Sequence, residues 1–324
     1  MTELSDICGI PLFLEPWITR FYSPFEIDLL ATLHGNAMMA DEACHALGPE
    51  CTGSFLERAW RHGVVRRLDD GRFAPADFHV RFESWALFEG WKDLPEDIKD
   101  RLNRWELDHY TARHRDTVAS LKAGQPRPLA EACPEYLLLG EVARLFHRIG
   151  HFYLWPCNCR AMVRGCTQPQ MTCIRFSNPR GIGWEISRER ALSVVKDANR
   201  QGLMQSAELA VDSQGRLDGA LCNCCNDCCF PHQLSSSLGA EKIWPLSRYL
   251  AKISPGPCNG CGRCVRRCPF GVISQAKKEK SRPPSPPDIE TALCRGCGIC
   301  ATDCPQEAIR MQKIKESVLE TYYT

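Results

Sequence analysis

One stretch of the sequence occurs twice and decides the fold of its C-terminal part: CNGCGRCVRRCP at residues 258–269 and CRGCGICATDCP at residues 294–305. In both copies the cysteines follow the spacing C-x2-C-x2-C-x3-C, and a proline comes next. The offset is 36 residues, and extending the copies to Ile273 and Ile309 gives identity at eight of sixteen positions. Thiols this close together cannot all pair in good disulfide geometry, so the repeat indicates metal ligation.

Cysteine is concentrated in the second half of the chain. Four of the 21 cysteines precede residue 157, and the other 17 lie between Cys157 and Cys304. The N-terminus has neither a cationic flank nor a long apolar segment, so we expect no secretory signal. A chain of 324 residues without such a signal does not need a disulfide scaffold. These features predict a metal-binding protein of the reducing cytoplasm.

The overall composition excludes two broad classes of function. Lys and Arg total 40 and Asp and Glu total 39, so the net charge of +1 does not favour a general polyanion binder. No apolar run approaches the roughly 18–20 residues that a membrane-spanning helix needs. The sequence therefore predicts a soluble protein without a membrane span, and it does not favour a nucleic acid as the partner.

The repeat resembles the two-[4Fe-4S] ferredoxins of bacteria, in which this spacing holds the clusters. The resemblance implies that the fourth cysteine of each copy crosses to the other cluster. One ligand set would be Cys258, Cys261, Cys264 and Cys304, and the other would be Cys294, Cys297, Cys300 and Cys268. Two neighbouring clusters imply an electron carrier. Two zinc sites are the alternative, but zinc typically takes C-x2-C pairs that are set apart.

A second group of nine cysteines precedes the repeat: Cys157, Cys159, Cys166, Cys173, Cys222, Cys224, Cys225, Cys228 and Cys229. Their order resembles the C-x-C-R…C…C…C-N-C-C module of a family of uncharacterised iron–sulfur proteins, where it also lies ahead of a dicluster ferredoxin domain. The resemblance implies iron–sulfur binding. Nine thiols exceed the need of one cube by five, so one cluster with spare thiols, two clusters or a non-cubane cluster would account for them. We favour at least one further iron–sulfur cluster, and a zinc site or metal-free thiols are the alternatives.

Basic side chains and histidines accompany these cysteines. Arg160, Arg164 and Arg175 are candidates for offsetting the negative charge of the thiolates, although solvated or carboxylate-paired arginines would give the same pattern. His151 and His232 are near enough in sequence to act as ligands, but a lone histidine is more often an ordinary hydrogen-bonded residue.

The N-terminal part has a different pattern. Ser23-Pro24 predicts the start of a helix, further helices are expected over residues 39–47 and 54–62, and residues 64–74 predict two strands joined by a turn. Three helices followed by a hairpin resemble a winged-helix domain. We predict an α+β protein with a winged-helix-like domain at 1–82 and a helical connector at 83–133. A cysteine-rich domain at 134–250, with helices at 134–148 and from Ser187 to Gly202, precedes a ferredoxin domain at 251–324.

The residues support three hypotheses about function. The first is an electron-transfer protein of anaerobic or low-oxygen metabolism, which exchanges electrons with a partner oxidoreductase. The second is a redox-sensing transcription regulator whose DNA-reading residues would be Arg58, Arg61 and His62 of the third helix with Arg66, Arg67 and Arg72 of the hairpin. Glu57, Asp69 and Asp70 dilute the charge of this surface. The third is a reductase that acts at the middle cysteines. The sequence contains no G-x-G-x-x-G, P-loop or nucleophile elbow, so no flavin or nicotinamide site is expected.

Overall fold

The computed structural model describes residues 2–163, 166–212, 214–276 and 285–324. The chain divides into two compact units. The first contains residues 1–108, 161–163 and 178–182, and the second contains residues 109–160, 164–177 and 183–324. Helices and sheets both occur, as an α+β protein requires. Among the described residues, no helix is both long and apolar enough to cross a bilayer.

The first unit is mainly helical. Its elements are α1 (Thr2–Cys8), α2 (Ile18–Phe21), α3 (Pro24–Leu33), α4 (Ala40–Leu47), α5 (Gly53–Arg61), β1 (Val65–Arg67), β2 (Phe73–Pro75) and α6 (Phe78–Phe88). Two 3-10 turns cover Leu12–Trp17 and Trp91–Asp93. The long helix α7 spans Glu96–Lys122, and its residues from 109 onward belong to the second unit. The predicted helices at α3, α4 and α5 and the predicted hairpin are confirmed. Helices α1 and α2, in contrast, were not predicted.

Local capping explains why these helices begin where they do. The Ser23 hydroxyl accepts a hydrogen bond from the backbone N–H of Glu26, and the Glu26 carboxylate accepts one from the backbone N–H of Ser23. Pro24 occupies the first helical position, where its missing N–H costs nothing. The Thr52 hydroxyl caps α5 in the same way. The apolar faces that follow pack together around Leu29, Leu30, Leu33 and Leu56.

The second unit is built on a six-stranded antiparallel sheet with the strand order β3-β7-β8-β5-β4-β6. Its strands are β3 (Cys133–Tyr136), β4 (Phe152–Pro156), β5 (Met171–Arg175), β6 (Trp184–Ile186), β7 (Met204–Val211) and β8 (Leu217–Cys224). The helices of this region are α8 (Leu139–Arg148), α9 (Asn158–Met162), α10 (Arg188–Arg200) and α11 (Phe230–Ser237). Ser187 caps α10 as predicted. The start predicted for α8 was wrong, because residues 133–136 are fully buried and pair with β7 instead.

The two copies of the repeat form a small pseudo-symmetric arrangement within the second unit. Strand β9 (Tyr249–Ile253) pairs with β12 (Ile309–Lys313), and β10 (Ile273–Ser274) pairs with β11 (Asp288–Ile289). Each copy contains one short helix, α12 (Arg263–Arg267) or α13 (Ile299–Thr302), and a final 3-10 turn covers Glu320–Tyr322. Of the connection predicted at 276–288, residues 277–284 lie outside the described residues, as does Arg164.

Candidate metal centres

Four of the repeat cysteines line a first cavity. Cys258, Cys261 and Cys264 come from the first copy, and Cys304 comes from the second. Apolar side chains, including Ile253 and Ile309, complete the wall. The left-handed backbone at Gly262 turns the chain into α12, which carries Cys264. The structure therefore gathers the first predicted ligand set around one space.

The other four repeat cysteines line a second cavity. Cys294, Cys297 and Cys300 come from the second copy and are buried, and the first copy contributes Cys268. Gly296 lies so close to strand β9 that a Cβ atom there would be 2.0 Å from the carbonyl oxygen of Tyr249. This approach requires glycine, and it brings the cysteine loop against the strand.

Both cavities have the donor chemistry of an iron–sulfur cluster. Each is lined by four thiols, three from one copy of the repeat and the fourth from the other. Apolar walls raise the pKa of the Cys297 thiol to about 12 because burial penalises the thiolate. Cluster iron would stabilise the thiolate and displace the proton. The residues present thus fit two [4Fe-4S] clusters.

The nine middle cysteines fall into two separate groups. We call Cys157, Cys159, Cys173, Cys222, Cys224 and Cys229 the six-thiol group, because hydrogen bonds link their side chains in a continuous series. We call Cys166, Cys225 and Cys228 the three-thiol group; the Cys228 sulfur lies 2.8 Å from that of Cys225 and 3.6 Å from that of Cys166. The structure thus brings all nine predicted residues into one region but does not merge them into a single site.

The sheet explains how the six-thiol group assembles. Cys222 and Cys224 are two residues apart on β8 and therefore share one face of the strand. The pairing of Ile174 with Leu221 places Cys173 of β5 beside Cys222. Cys157 and Cys159 follow the end of β4, and the Cys159 sulfur accepts a hydrogen bond of 3.4 Å from the backbone N–H of Phe230 at the start of α11. Long-range strand pairing therefore builds this group.

A buried cation accompanies the thiols. Arg160 is 1% exposed and donates to the Asn223 carbonyl oxygen at 2.7 Å and to the Thr172 hydroxyl. Burial opposes its charge, yet nearby thiolates, with Cys157 first among them, raise the pKa of the guanidinium above its ordinary value. The Cys224 thiol has its pKa lowered to about 6, mainly by a hydrogen bond with Cys222. Arg175 lies elsewhere, with its guanidinium 3.8 Å from the centroid of the Trp155 ring.

Neither histidine proposed from the sequence is placed as a ligand. The buried His232 has its Nε2 atom 2.7 Å from the Tyr136 hydroxyl and its Nδ1 atom 2.8 Å from the Cys225 carbonyl oxygen. Both ring nitrogens are thus engaged, and burial lowers the pKa of His232 to about 4. His151 lies on the surface with its Nδ1 atom 3.2 Å from Glu185.

Sequence reasoning missed the residues that join the middle cysteines to the second cavity. The Asn226 side chain donates a hydrogen bond of 2.5 Å to the carbonyl oxygen of Pro269, which follows Cys268. The ring of His232 meets that of Phe270 edge-on at 5.7 Å, and the Arg295 guanidinium lies 4.4 Å from the Phe270 centroid. Pro269, Phe270 and Arg295 all line the second cavity. In the sequence, the one feature that pointed to this contact was the position of Asn226 between Cys225 and Cys228.

Comparison with known proteins bears on the repeat region. Residues 257–309 match the family model described as a 4Fe-4S dicluster domain. This range contains both copies of the cysteine repeat and all eight thiols of the two cavities. No curated protein and no solved structure is detectably similar to the chain. The match supports the C-terminal ferredoxin-type domain that the sequence predicted, and its [4Fe-4S] clusters, over residues 257–309.

Proposed function

We propose that this protein transfers electrons between partner oxidoreductases, with two [4Fe-4S] clusters in the ferredoxin-type domain. The observation that carries the proposal is the pair of four-thiol cavities, each completed by a cysteine from the other copy of the repeat. One-electron exchange is the chemistry that such clusters supply when bound. The exchange of cysteines between the copies holds the two sites close together within one small domain.

The ligand assignment belongs to the same proposal. Cys258, Cys261, Cys264 and Cys304 would hold the cluster of the first cavity, and Cys294, Cys297, Cys300 and Cys268 would hold that of the second. The thiols of the first cavity are partly exposed, whereas three thiols of the second are buried. Exposure favours the first cavity as the side that a redox partner approaches.

We extend the proposal to a further iron–sulfur cluster in the six-thiol group. Six thiols exceed the four that one tetrahedral ion takes, so the donor count favours a polynuclear centre. The buried Arg160 offsets part of the thiolate charge. The contacts of Asn226 and His232 with the wall of the second cavity bring the middle thiols and the ferredoxin-type domain together, as an electron relay requires.

Metal and sulfide analysis of anaerobically purified protein tests the proposal. About eight irons per chain are expected for the two ferredoxin clusters alone, and about twelve with a third cluster. Cys261→Ala should lose one cluster signal in the EPR spectrum of the reduced protein and lower the rate of electron transfer to an artificial acceptor. Cys133→Ala, which removes a buried thiol outside every candidate centre, is the matched control. Full iron content and full activity in Cys261→Ala would contradict the ligand assignment.

A further inference from the structure

The three-thiol group has a fourth donor beside it. The ligand atoms of Cys166, Cys225, Asp227 and Cys228 all lie within 4.8 Å of one another. A tetrahedral zinc ion with Zn–S bonds of about 2.3 Å keeps its sulfur ligands roughly 3.8 Å apart. The Cys228 and Cys166 sulfurs, 3.6 Å apart, match this spacing. The Cys225 and Cys228 sulfurs are 2.8 Å apart and would have to separate by about 1 Å to hold the ion. A four-iron cube has eight atoms to fit between its thiolates and needs a wider arrangement.

The donor set also fits a single ion. Three thiolates and one carboxylate complete a tetrahedron, and soft sulfur ligands favour zinc among the common divalent ions. The Asp227 carboxylate is hydrogen-bonded to the thiols of both Cys225 and Cys228. Cys225 and Cys228 are buried and Asp227 is exposed, so the site has a buried inner side and an outer side open to solvent.

The backbone around these donors is held in place by neighbouring side chains. His232 contacts the Cys225 carbonyl oxygen at 2.8 Å, and the Gln233 side chain donates a hydrogen bond of 3.1 Å to the Cys228 carbonyl oxygen. The backbone N–H of Cys228 donates to the Asp227 carboxylate at 2.8 Å. These contacts fix the C-x-x-C turn, as outer hydrogen-bond partners commonly do around a metal site.

We propose that Cys166, Cys225 and Cys228, together with Asp227, bind one structural Zn²⁺ ion that is separate from the iron–sulfur clusters. The inference goes beyond the electron-transfer function, because zinc does not change its oxidation state. The ion would tie the segment that carries Cys166 to the turn at residues 225–228. It would thereby hold Asn226 against Pro269 at the wall of the second cavity.

Zinc and iron analysis of the full-length protein, produced with both metals supplied, tests the proposal. We expect about one zinc ion per chain in the wild-type protein. Cys228→Ser should lose the zinc and keep the wild-type iron content, whereas Cys133→Ala should keep both metals. Asp227→Asn should release zinc to a chelator more readily, with an affinity loss of at least the roughly 10–100-fold seen for outer-shell changes.

Zinc K-edge X-ray absorption spectroscopy of the wild-type protein tests the proposal even if the variants do not fold. The proposal expects three sulfurs at about 2.3 Å and one lighter atom at about 2.0–2.2 Å. Wild-type protein without zinc, a zinc ion with four sulfur ligands, or a Cys225–Cys228 disulfide in the mass spectrum of the anaerobic protein would each overturn it. Loss of iron instead of zinc in Cys228→Ser would likewise overturn the zinc proposal. That result would not contradict the two clusters proposed for the ferredoxin-type domain.

Discussion

Arg160 is the buried cation of the proposed metal centre at the six-thiol group. Its guanidinium is buried beside the middle thiols, and its two terminal nitrogens donate hydrogen bonds to the Asn223 carbonyl and to the Thr172 hydroxyl. The pKa of the Cys159 thiol is lowered well below its ordinary value, first by the hydrogen bond with Cys157 and in part by the charge of Arg160. A neutral side chain at this position would leave buried thiolates without a compensating cation.

We expect Arg160→Met to destabilise the second unit by roughly 3–5 kcal/mol, the range for removing one partner of a buried ion pair. Arg160→Lys should destabilise the unit less, because it keeps the positive charge. Some destabilisation should remain, because lysine cannot make the paired hydrogen bonds of the guanidinium. Arg175→Met is the control, since its guanidinium lies on the Trp155 ring instead. Urea unfolding followed by circular dichroism, together with iron content, measures the effect. Equal stability of Arg160→Met and Arg175→Met would contradict this role.

At the level of secondary-structure elements, the sequence predicted those helices whose ends are set by local hydrogen bonds. The Ser23 and Ser187 caps each accept from a backbone N–H three residues ahead, and these short sequence patterns located their helices. The Thr52 cap of α5 has the same geometry but was not predicted. The six-stranded sheet was not predicted, because its pairings join residues far apart in sequence, such as β3 with β7. For the same reason, the sequence did not predict that the middle cysteines form two groups. That grouping depends on the register between β5 and β8, which places Cys173 beside Cys222.

Three arginines of the helix α5 and hairpin region, Arg61, Arg67 and Arg72, are paired with acidic side chains. Arg61 and Arg67 both lie 3.3 Å from the Glu57 carboxylate, and Arg72 lies 2.7 Å from that of Asp70. The Arg67 guanidinium also lies 4.0 Å from the centroid of the Trp60 ring. These partners reduce the positive charge available to phosphate. The winged-helix resemblance remains a prediction, and the charge pattern does not favour DNA as its ligand.

We therefore expect the full-length protein to bind duplex DNA no more tightly than the non-specific range of about 10⁻⁴–10⁻⁶ M at physiological salt. Fluorescence anisotropy with a labelled random duplex, repeated over a series of salt concentrations, measures this affinity. Glu57→Gln is an informative variant because it frees Arg61 and Arg67, and it should bind more tightly than the wild type. Nanomolar binding by the wild-type protein would instead support the regulator hypothesis.

At the scale of the second unit, a buried ionic network links the sheet to the strands of the repeat region. Arg248, which is fully buried beside β9, pairs with Glu141 of α8 and lies 3.7 Å from Glu135 of β3. The hydroxyl of Tyr249 donates to Glu141 at 2.7 Å, and that of Tyr323 donates to Glu135 at the same distance. Groups from three distant parts of the sequence thus compensate one another, which no local pattern could have predicted.

This network predicts that the middle region and the ferredoxin-type domain unfold together. Arg248→Met leaves Glu141 buried without its cation and should cost roughly 3–5 kcal/mol. The loss of cluster absorbance and the loss of circular dichroism in urea should shift together, because Arg248 contacts both the sheet region and the strand that borders the cavities. Lys313→Met, which removes exposed pairs with Glu316 and Glu320, should change little. If cluster absorbance alone shifted in Arg248→Met, the two regions would be independent folding units, and the network would serve only to dock one on the other.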